Sequence, residues 1–301
     1  MSVERDVLRV TGAAGTEPNP QPAQGLLLIA YNRPSALRGT LLSLHRALAD
    51  LNAERPGEST PIFVALDGPR STATDQGATR EVAQLVSEQL PRATVIAQST
   101  NRGLPALLVD TLDRIFEEHE IEELICVEDD VELSATALLA LFAAASHIRP
   151  KNGASFVIGG APLHGDGSLE HQLLLITRSA WATARDFLVE YIARFSLDGA
   201  SAEGAYGNRD HASIAAWSAA LAADHGLTPP RGTSQDRMRE LAWRISGVPL
   251  IGLPVRVVRH RGLWGQHNTP WHALRTGQLF QRLDRRPWNS VRAKIRDSLK
   301  S

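Results

Sequence analysis

Short apolar runs recur along the first half of the chain, and each ends in polar residues. These runs are residues 25–30 (GLLLIA), 61–66 (PIFVAL), 94–97 (TVIA) and 124–127 (LICV). Continuous apolar runs of this length are typical of strands buried on both faces of a parallel sheet. Helix-like segments separate them, around residues 34–44, 80–89 and 106–118. The resulting βαβαβαβ order predicts an α/β fold, a mostly parallel sheet with helices on both faces.

The pattern is looser in the second half, where strands are predicted at residues 156–160 and 173–176. Helices are predicted at residues 135–147, 213–223 and 234–243. We divide the chain into four segments: a flexible arm at 1–24, a first half at 25–150 with the element order of nucleotide-binding folds, a second half at 151–285, and a basic C-terminal helix or tail at 286–301. From Arg256 to Ser301 there are 11 Lys and Arg residues against 2 Asp and Glu residues.

Composition narrows the class of protein. The 301 residues are 43% hydrophobic and 22% charged, with a net charge of −1, which is ordinary for a globular protein and gives little support to nucleic-acid binding. The single cysteine, Cys126, lies in an apolar run and excludes a disulfide within the chain. We find no signal peptide and no apolar run long enough to span a membrane, and we expect a cytoplasmic protein.

The apolar run at 124–127 ends in three carboxylates, Glu128, Asp129 and Asp130. Ligands of open α/β sheets bind at the carboxyl ends of the strands. Three acids there repel one another unless a cation or hydrogen-bond donors compensate. A hard divalent cation that also holds a substrate phosphate is one solution. The alternative is a solvated acidic turn before a helix.

Two further polar residues follow predicted strands, Arg33 and Asp67. An arginine suits a phosphate, and an isolated aspartate can accept hydrogen bonds from a base or ribose. Each could also be a simple surface or turn residue, but together with the acidic triplet they describe a nucleotide-diphosphate site. The glycine-rich fingerprints of dinucleotide oxidoreductases and P-loop NTPases are absent, as are the zinc motif H-E-x-x-H and the hydrolase motif G-x-S-x-G.

These residues resemble the nucleotide-sugar glycosyltransferases of the GT-A fold. The similarity lies in residues 26–33, 63–70, 101–104 (NRGL) and 127–132 (VEDDVE), the last similar to the DXD motif of N-acetylglucosaminyltransferase I and of bacterial family 2-like enzymes. Residues 234–239 (SQDRMR) resemble the segment that carries a catalytic aspartate in N-acetylglucosaminyltransferase I. Residues 254–265 (PVRVVRHRGLWG) resemble the strand and the donor-covering loop that follow it.

The resemblance implies that residues 25–150 bind a nucleotide sugar, the donor, and that residues 151–285 bind the acceptor and carry the catalytic group. It also implies roles for single residues at the donor. Arg33 would contact the pyrophosphate and Asp67 the base. Glu128 would face the transferred sugar, Asp129 the ribose, and Asp130 a metal ion, Mn²⁺ or Mg²⁺. The donor would be a UDP-sugar.

The resemblance also implies a general base, Asp236, that removes a proton from a hydroxyl-bearing acceptor, so that transfer inverts the anomeric carbon. Asp210 is a second candidate for the base. His260 or His267 could add a metal or phosphate contact, and Trp264 could exclude water. The prediction is therefore a metal-dependent inverting glycosyltransferase. A nucleotidyltransferase acting on a sugar phosphate and a non-catalytic sugar-nucleotide or glycan-binding module are the alternatives.

Overall fold

A computed structural model describes residues 22–152, 154–195, 210–261 and 281–299. In the first half four strands alternate with three helices: β1 (Gln24–Ala30), α1 (Pro34–Glu54), β2 (Ile62–Leu66), α2 (Ala73–Gln89), β3 (Thr94–Ala97), α3 (Gly103–Glu118) and β4 (Glu123–Glu128). The remaining elements are β5 (Val131–Leu133), α4 (Ala137–Asn152), β6 (Val157–Gly159), β7 (Leu173–Thr177), α5 (Arg178–Arg194), α6 (His211–Asp224), α7 (Gln235–Ile245), β8 (Leu250–Gly252), β9 (Val258–His260) and α8 (Trp288–Ser298).

The main sheet has seven strands in the order β3-β2-β1-β4-β7-β6-β8. Strands β3, β2, β1 and β4 are parallel to one another, β7 is antiparallel to both β4 and β6, and β6 is parallel to β8. The predicted α/β class with a mostly parallel sheet is confirmed, and the arrangement is consistent with a GT-A, Rossmann-like fold. Because β6, β7 and β8 come from residues 151–285, both halves of the chain build one sheet.

Alternate residues of β1 point to opposite sides of this sheet. Leu26 and Leu28 belong to one apolar cluster, with residues of α1, α2 and α4. Leu27 and Ile29 belong to a second cluster, with residues of α3, α5 and α7. Helices therefore cover both faces, which explains why the central strands are apolar without alternation.

Strands β5 and β9 form a separate two-stranded antiparallel sheet. The resemblance implied a strand within residues 254–265, where β9 lies, but its pairing with β5 was not predicted. Two buried hydroxyls of α1 hold β5: Thr40 Oγ1 donates to the carbonyl oxygen of Val131 at 2.9 Å, and Ser43 Oγ accepts from the N–H of Leu133 at 3.1 Å. The chain directly before β5 is the acidic triplet. This small sheet therefore anchors one side of the triplet to the body of the protein.

The element boundaries differ from the prediction mainly at α2. This helix begins at Ala73, well before residue 80, because Thr72 accepts a hydrogen bond from the N–H of Asp75 at 3.3 Å and caps it. Cys126 is buried, as predicted. The predicted arm lies outside the described residues apart from residues 22–24. Within the described part of the chain, none of the helices combines the length and apolar character of a membrane span.

Candidate active site at the carboxyl edge of the sheet

The acidic triplet lies where β4, a central strand, ends. Asp129 is 1% exposed and Asp130 is 3% exposed, while Glu128 is partly buried. Burial raises the pKa of Asp129 to about 6, against the opposing charge of Arg33. Two carboxylates are therefore buried at the carboxyl edge of the sheet, which is where open α/β sheets bind their ligands. Such groups are costly unless cations or donors compensate.

Arg33 supplies part of that compensation. Its guanidinium bridges both aspartates: one nitrogen donates to Asp129, and Nη1 donates to Oδ2 of Asp130 at 2.5 Å. The N–H of Tyr31 also donates to Asp129, at 3.2 Å. The predicted placement of Arg33 beside the triplet holds because β1 and β4 are neighbours in the sheet. The side chain is 38% exposed, so one part of it faces the acids and another remains open to a ligand.

His260 approaches the triplet from the other side. The pairing of β5 with β9 sets Val131 opposite His260, and Nε2 of His260 lies 2.9 Å from Oδ2 of Asp130. Burial opposes ionisation of Asp130, yet hydrogen bonds from His260 and the charge of Arg33 leave its pKa below the ordinary value. Of the two histidines considered from sequence, His260 is therefore at the site. His267 and Trp264 lie outside the described residues.

One oxygen of Asp130 has no hydrogen-bond partner among the described residues. That oxygen, Oδ1, is buried, whereas Oδ2 accepts from Arg33 and lies 2.9 Å from Nε2 of His260. A buried carboxylate oxygen without a donor is unusual, and a cation satisfies it. Among the described residues no group of three or more His, Cys, Asp or Glu side chains is arranged as a metal cage. Asp130 and His260 fit instead a divalent ion whose other ligands are substrate phosphates and water.

Asp67 is held in a turn. Its Oδ1 accepts from the N–H groups of Gly68 and Arg102, at 2.9 and 2.8 Å. Its Oδ2 accepts from Asn101 Nδ2 and the N–H of Gly103, at 2.9 and 3.0 Å. Burial raises the pKa of Asp67 despite these donors. The structure thus shows Asp67 organising residues 101–103, and its predicted contact with a base stays a prediction.

Besides Asp67 and the triplet, Asp75 is an acidic residue at this edge, and it was not predicted from the sequence. It accepts hydrogen bonds from Tyr31 Oη at 2.7 Å, from Asn32 Nδ2 at 2.5 Å and from the N–H of Arg70 at 2.6 Å. Asp75 therefore ties the ends of β1 and β2 together beside the triplet. The Thr72-x-x-Asp75 spacing indicates a helix start, which was the one available signal.

Asp236 lies in the first turn of α7, behind the capping residue Ser234. Burial raises the pKa of Glu128 well above its ordinary value, and the nearby charge of Asp236 is the next largest cause. The fold therefore brings Asp236 close to the triplet from more than a hundred residues along the chain. Asp236 Oδ1 accepts from Arg239 at 3.2 Å and from Gln235 at 3.3 Å.

Asp210, the competing candidate, has a different environment. It is the N-cap of α6, where its carboxylate accepts from the N–H of Ser213 at 2.9 Å and from the Ser213 hydroxyl at 2.5 Å. These hydrogen bonds lower the pKa of Asp210, which is fully exposed. Its described contacts are those of a helix cap and include no member of the triplet.

Comparison with known proteins gives structural similarities but no family. No family model and no curated protein matches the chain. The chain is similar to the structure of the mannosyltransferase PcManGT from Pyrobaculum calidifontis in complex with GDP-Man and Mn²⁺, with 13% identity and a TM-score of 0.48, over 88% of this chain and 64% of that one. It is also similar to S. aureus TarS, with 17% identity and a TM-score of 0.32, over 47% of this chain and 21% of that one. The chain spans less than two thirds of either structure.

Proposed function

We propose that the protein is a metal-dependent glycosyltransferase that moves a sugar from a UDP-sugar to a hydroxyl acceptor with inversion. The observation that carries the proposal is the buried Oδ1 of Asp130, which accepts no hydrogen bond from a described residue while Arg33 and His260 contact Oδ2 of the same carboxylate. A divalent cation held by Asp130 and His260 would neutralise the charge that grows on the leaving diphosphate. A nucleotide diphosphate brings the phosphate oxygens that such a two-residue site needs to complete its coordination.

Arg33 supports the donor part of the proposal. Its guanidinium is a partly exposed cation at the triplet, and it can keep one N–H on a carboxylate while others donate to a phosphate. Asp129 and Glu128 lie beside Arg33. We assign Asp129 to the ribose and Glu128 to the transferred sugar. Asp67 and the turn that it organises at 101–103 form the adjacent strand end, which we assign to the base.

Asp236 supports the transfer step. Its described hydrogen bonds both reach Oδ1, so Oδ2 can accept the proton of an acceptor hydroxyl. The acceptor oxygen bonds to the anomeric carbon as the bond from that carbon to the diphosphate oxygen breaks. The nucleotide diphosphate leaves with the electron pair. Attack opposite the leaving group inverts the anomeric centre, through a transition state with oxocarbenium character.

The test is release of nucleotide diphosphate from a panel of UDP-sugars, with GDP-mannose as comparison donor, in Mn²⁺, in Mg²⁺ and in EDTA. We expect UDP release that requires the cation. Release of pyrophosphate from a nucleoside triphosphate would identify a nucleotidyltransferase instead. Tight UDP binding without turnover in any donor and acceptor combination would identify a binding module.

A further inference from the structure

A cavity of about 390 Å³ opens beside the start of α7. It lies between the loop that precedes β7 and the segment that leads into α7. The lining residues are His164, Gly165, Asp166, Ser168, Arg231 and Arg237. The lining is polar, and five of these six residues can donate or accept hydrogen bonds through their side chains.

The side chains that line this cavity carry more positive than negative charge. Asp166 is ionised, because hydrogen bonds from the hydroxyl and the N–H of Ser168, at 2.6 and 3.1 Å, hold its pKa at about 2. Arg231 and Arg237 both act on it electrostatically. Among the lining residues two guanidinium groups thus face one carboxylate. Glu240 also forms an ion pair with Arg237, but Arg244 shares that carboxylate at 2.5 Å.

Both guanidinium groups have donors to spare. Arg231 is exposed and makes no hydrogen bond or ion pair with a described residue. The Arg237 guanidinium lies 3.6 Å from Oε2 of Glu240, beyond hydrogen-bond distance. That oxygen already accepts from His171 at 2.9 Å and from the N–H of Leu169 at 3.2 Å. A concave surface with two available arginine forks suits a phosphate or a carboxylate.

The cavity adjoins the proposed base. Arg237 follows Asp236 directly in the first turn of α7, so their Cα atoms are about 3.8 Å apart. The charge of Asp236 acts on Glu128 of the triplet, while Arg237 lines the cavity. A molecule anchored in the cavity therefore lies against the same helical turn that carries the base.

We propose that this cavity binds a negatively charged group of the acceptor, so that the acceptor is a hydroxyl compound bearing a phosphate or a carboxylate. The acceptor role rests on the proposed function. The site itself does not, because anion binding can be measured without any transfer. Arg231 and Arg237 would hold the anion, and Asp166 would limit the affinity by like-charge repulsion.

The test measures binding of glucose 6-phosphate, glucuronate and glucose to the full chain by calorimetry or ligand-observed NMR. We expect one or both anions to bind and glucose to bind far more weakly. Arg231→Gln and Arg237→Gln should each weaken anion binding about tenfold, the size expected for losing a charge-assisted hydrogen bond. Asp166→Asn should strengthen anion binding because it removes the repulsive carboxylate. The asparagine side-chain oxygen can still accept hydrogen bonds from Ser168. Arg46→Gln, an exposed arginine on α1, is the control and should change nothing.

Two results would overturn the inference: equal anion affinity in the Arg231, Arg237 and Arg46 variants, or no preference for the anions over glucose. Donor hydrolysis, read as UDP release into water with Mn²⁺, reports on the proposed function separately. If the donor is hydrolysed but anion affinity is unchanged in the Arg231 and Arg237 variants, only the proposed anion site in the cavity is refuted. Arginine-dependent anion binding without turnover of any donor refutes the proposed function and the acceptor role with it.

Discussion

The Nε2 atom of His260 lies 2.9 Å from Oδ2 of Asp130, although the two residues come from opposite halves of the chain. If both hold the cation, His260→Ala should weaken Mn²⁺ binding at least about tenfold. The measurement is a Mn²⁺ titration in the presence of UDP, followed by the EPR signal of the free ion. His45→Ala, at an exposed position of α1, should bind as the wild type does. Unchanged affinity in His260→Ala would remove His260 from the metal site.

Arg33→Gln should destabilise the metal-free protein. The change leaves buried Asp129 and Asp130 without their principal cation. We expect a loss of about 2 kcal/mol in the free energy of unfolding, reduced from the value for a fully buried pair because Arg33 is partly exposed. Urea unfolding with and without Mn²⁺ plus UDP measures this loss. The stability of Arg33→Lys should lie between those of the wild type and Arg33→Gln. Equal stability of wild type and Arg33→Gln would show that the acids are compensated otherwise.

Asp236→Asn should abolish transfer while donor binding persists. Loss of a general base lowers the rate by about 10² to 10⁴-fold. The readout is glycosylated product, with UDP affinity measured in parallel. Asp210→Asn is the matched control, because asparagine caps a helix as well as aspartate does, and it should retain full transfer. The opposite pattern would assign the base to Asp210.

Glu240→Gln should lower stability in a manner that depends on pH. Burial opposes ionisation of Glu240, but hydrogen bonds from His171 and Leu169 and the charge of Arg244 bring its pKa below the ordinary value. A depressed carboxyl pKa stabilises the fold above the unfolded-state pKa, and that contribution is lost as pH falls through the folded-state value. Wild type should be more stable than the variant at pH 7, and the gap should narrow as the pH falls below the ordinary glutamate pKa of about 4.3. Urea unfolding across this range measures it, and a gap independent of pH would contradict the assignment.

Two glycines give a paired test of packing. A Cβ on Gly68 would lie 2.4 Å from the backbone of Thr100, so Gly68→Ala should cost about 2 kcal/mol and disturb the turn held by Asp67. A Cβ on Gly77, inside α2, would meet nothing within 4 Å, so Gly77→Ala should stabilise the protein by up to about 1 kcal/mol. Thermal unfolding distinguishes the two. A stable Gly68→Ala would mean that the turn at residue 100 can shift.

The sequence predicted the central strands and the triplet because these signals are local. A parallel strand buried on both faces is a continuous apolar run, and Glu128-Asp129-Asp130 follows one directly. The same reasoning placed Arg33 beside the triplet. It did not show that Arg33 bridges the aspartates, since that depends on the side-chain rotamer, nor that Asp67 is occupied by the turn at 101–103.

The β5–β9 sheet was not predictable for a different reason. Each strand has three residues, too few for a periodic signal. What holds β5 is the pairing with β9 and the hydroxyls of Thr40 and Ser43, which look like ordinary polar residues of a helix in the sequence. The position of His260 next to Asp130 depends on this pairing, and no local pattern in the sequence indicates it.

That pairing also sets an order of events during synthesis. Glu132 and Arg259, which face each other across β5 and β9, are separated by 127 positions. Strands β1 to β4 have left the ribosome long before residues 258–260 are made. The nascent chain can therefore form the sheet edge with Asp130 paired only to Arg33, before the histidine joins it. If Asp130 and His260 together hold a cation, the chain acquires that capacity only once β9 has been made.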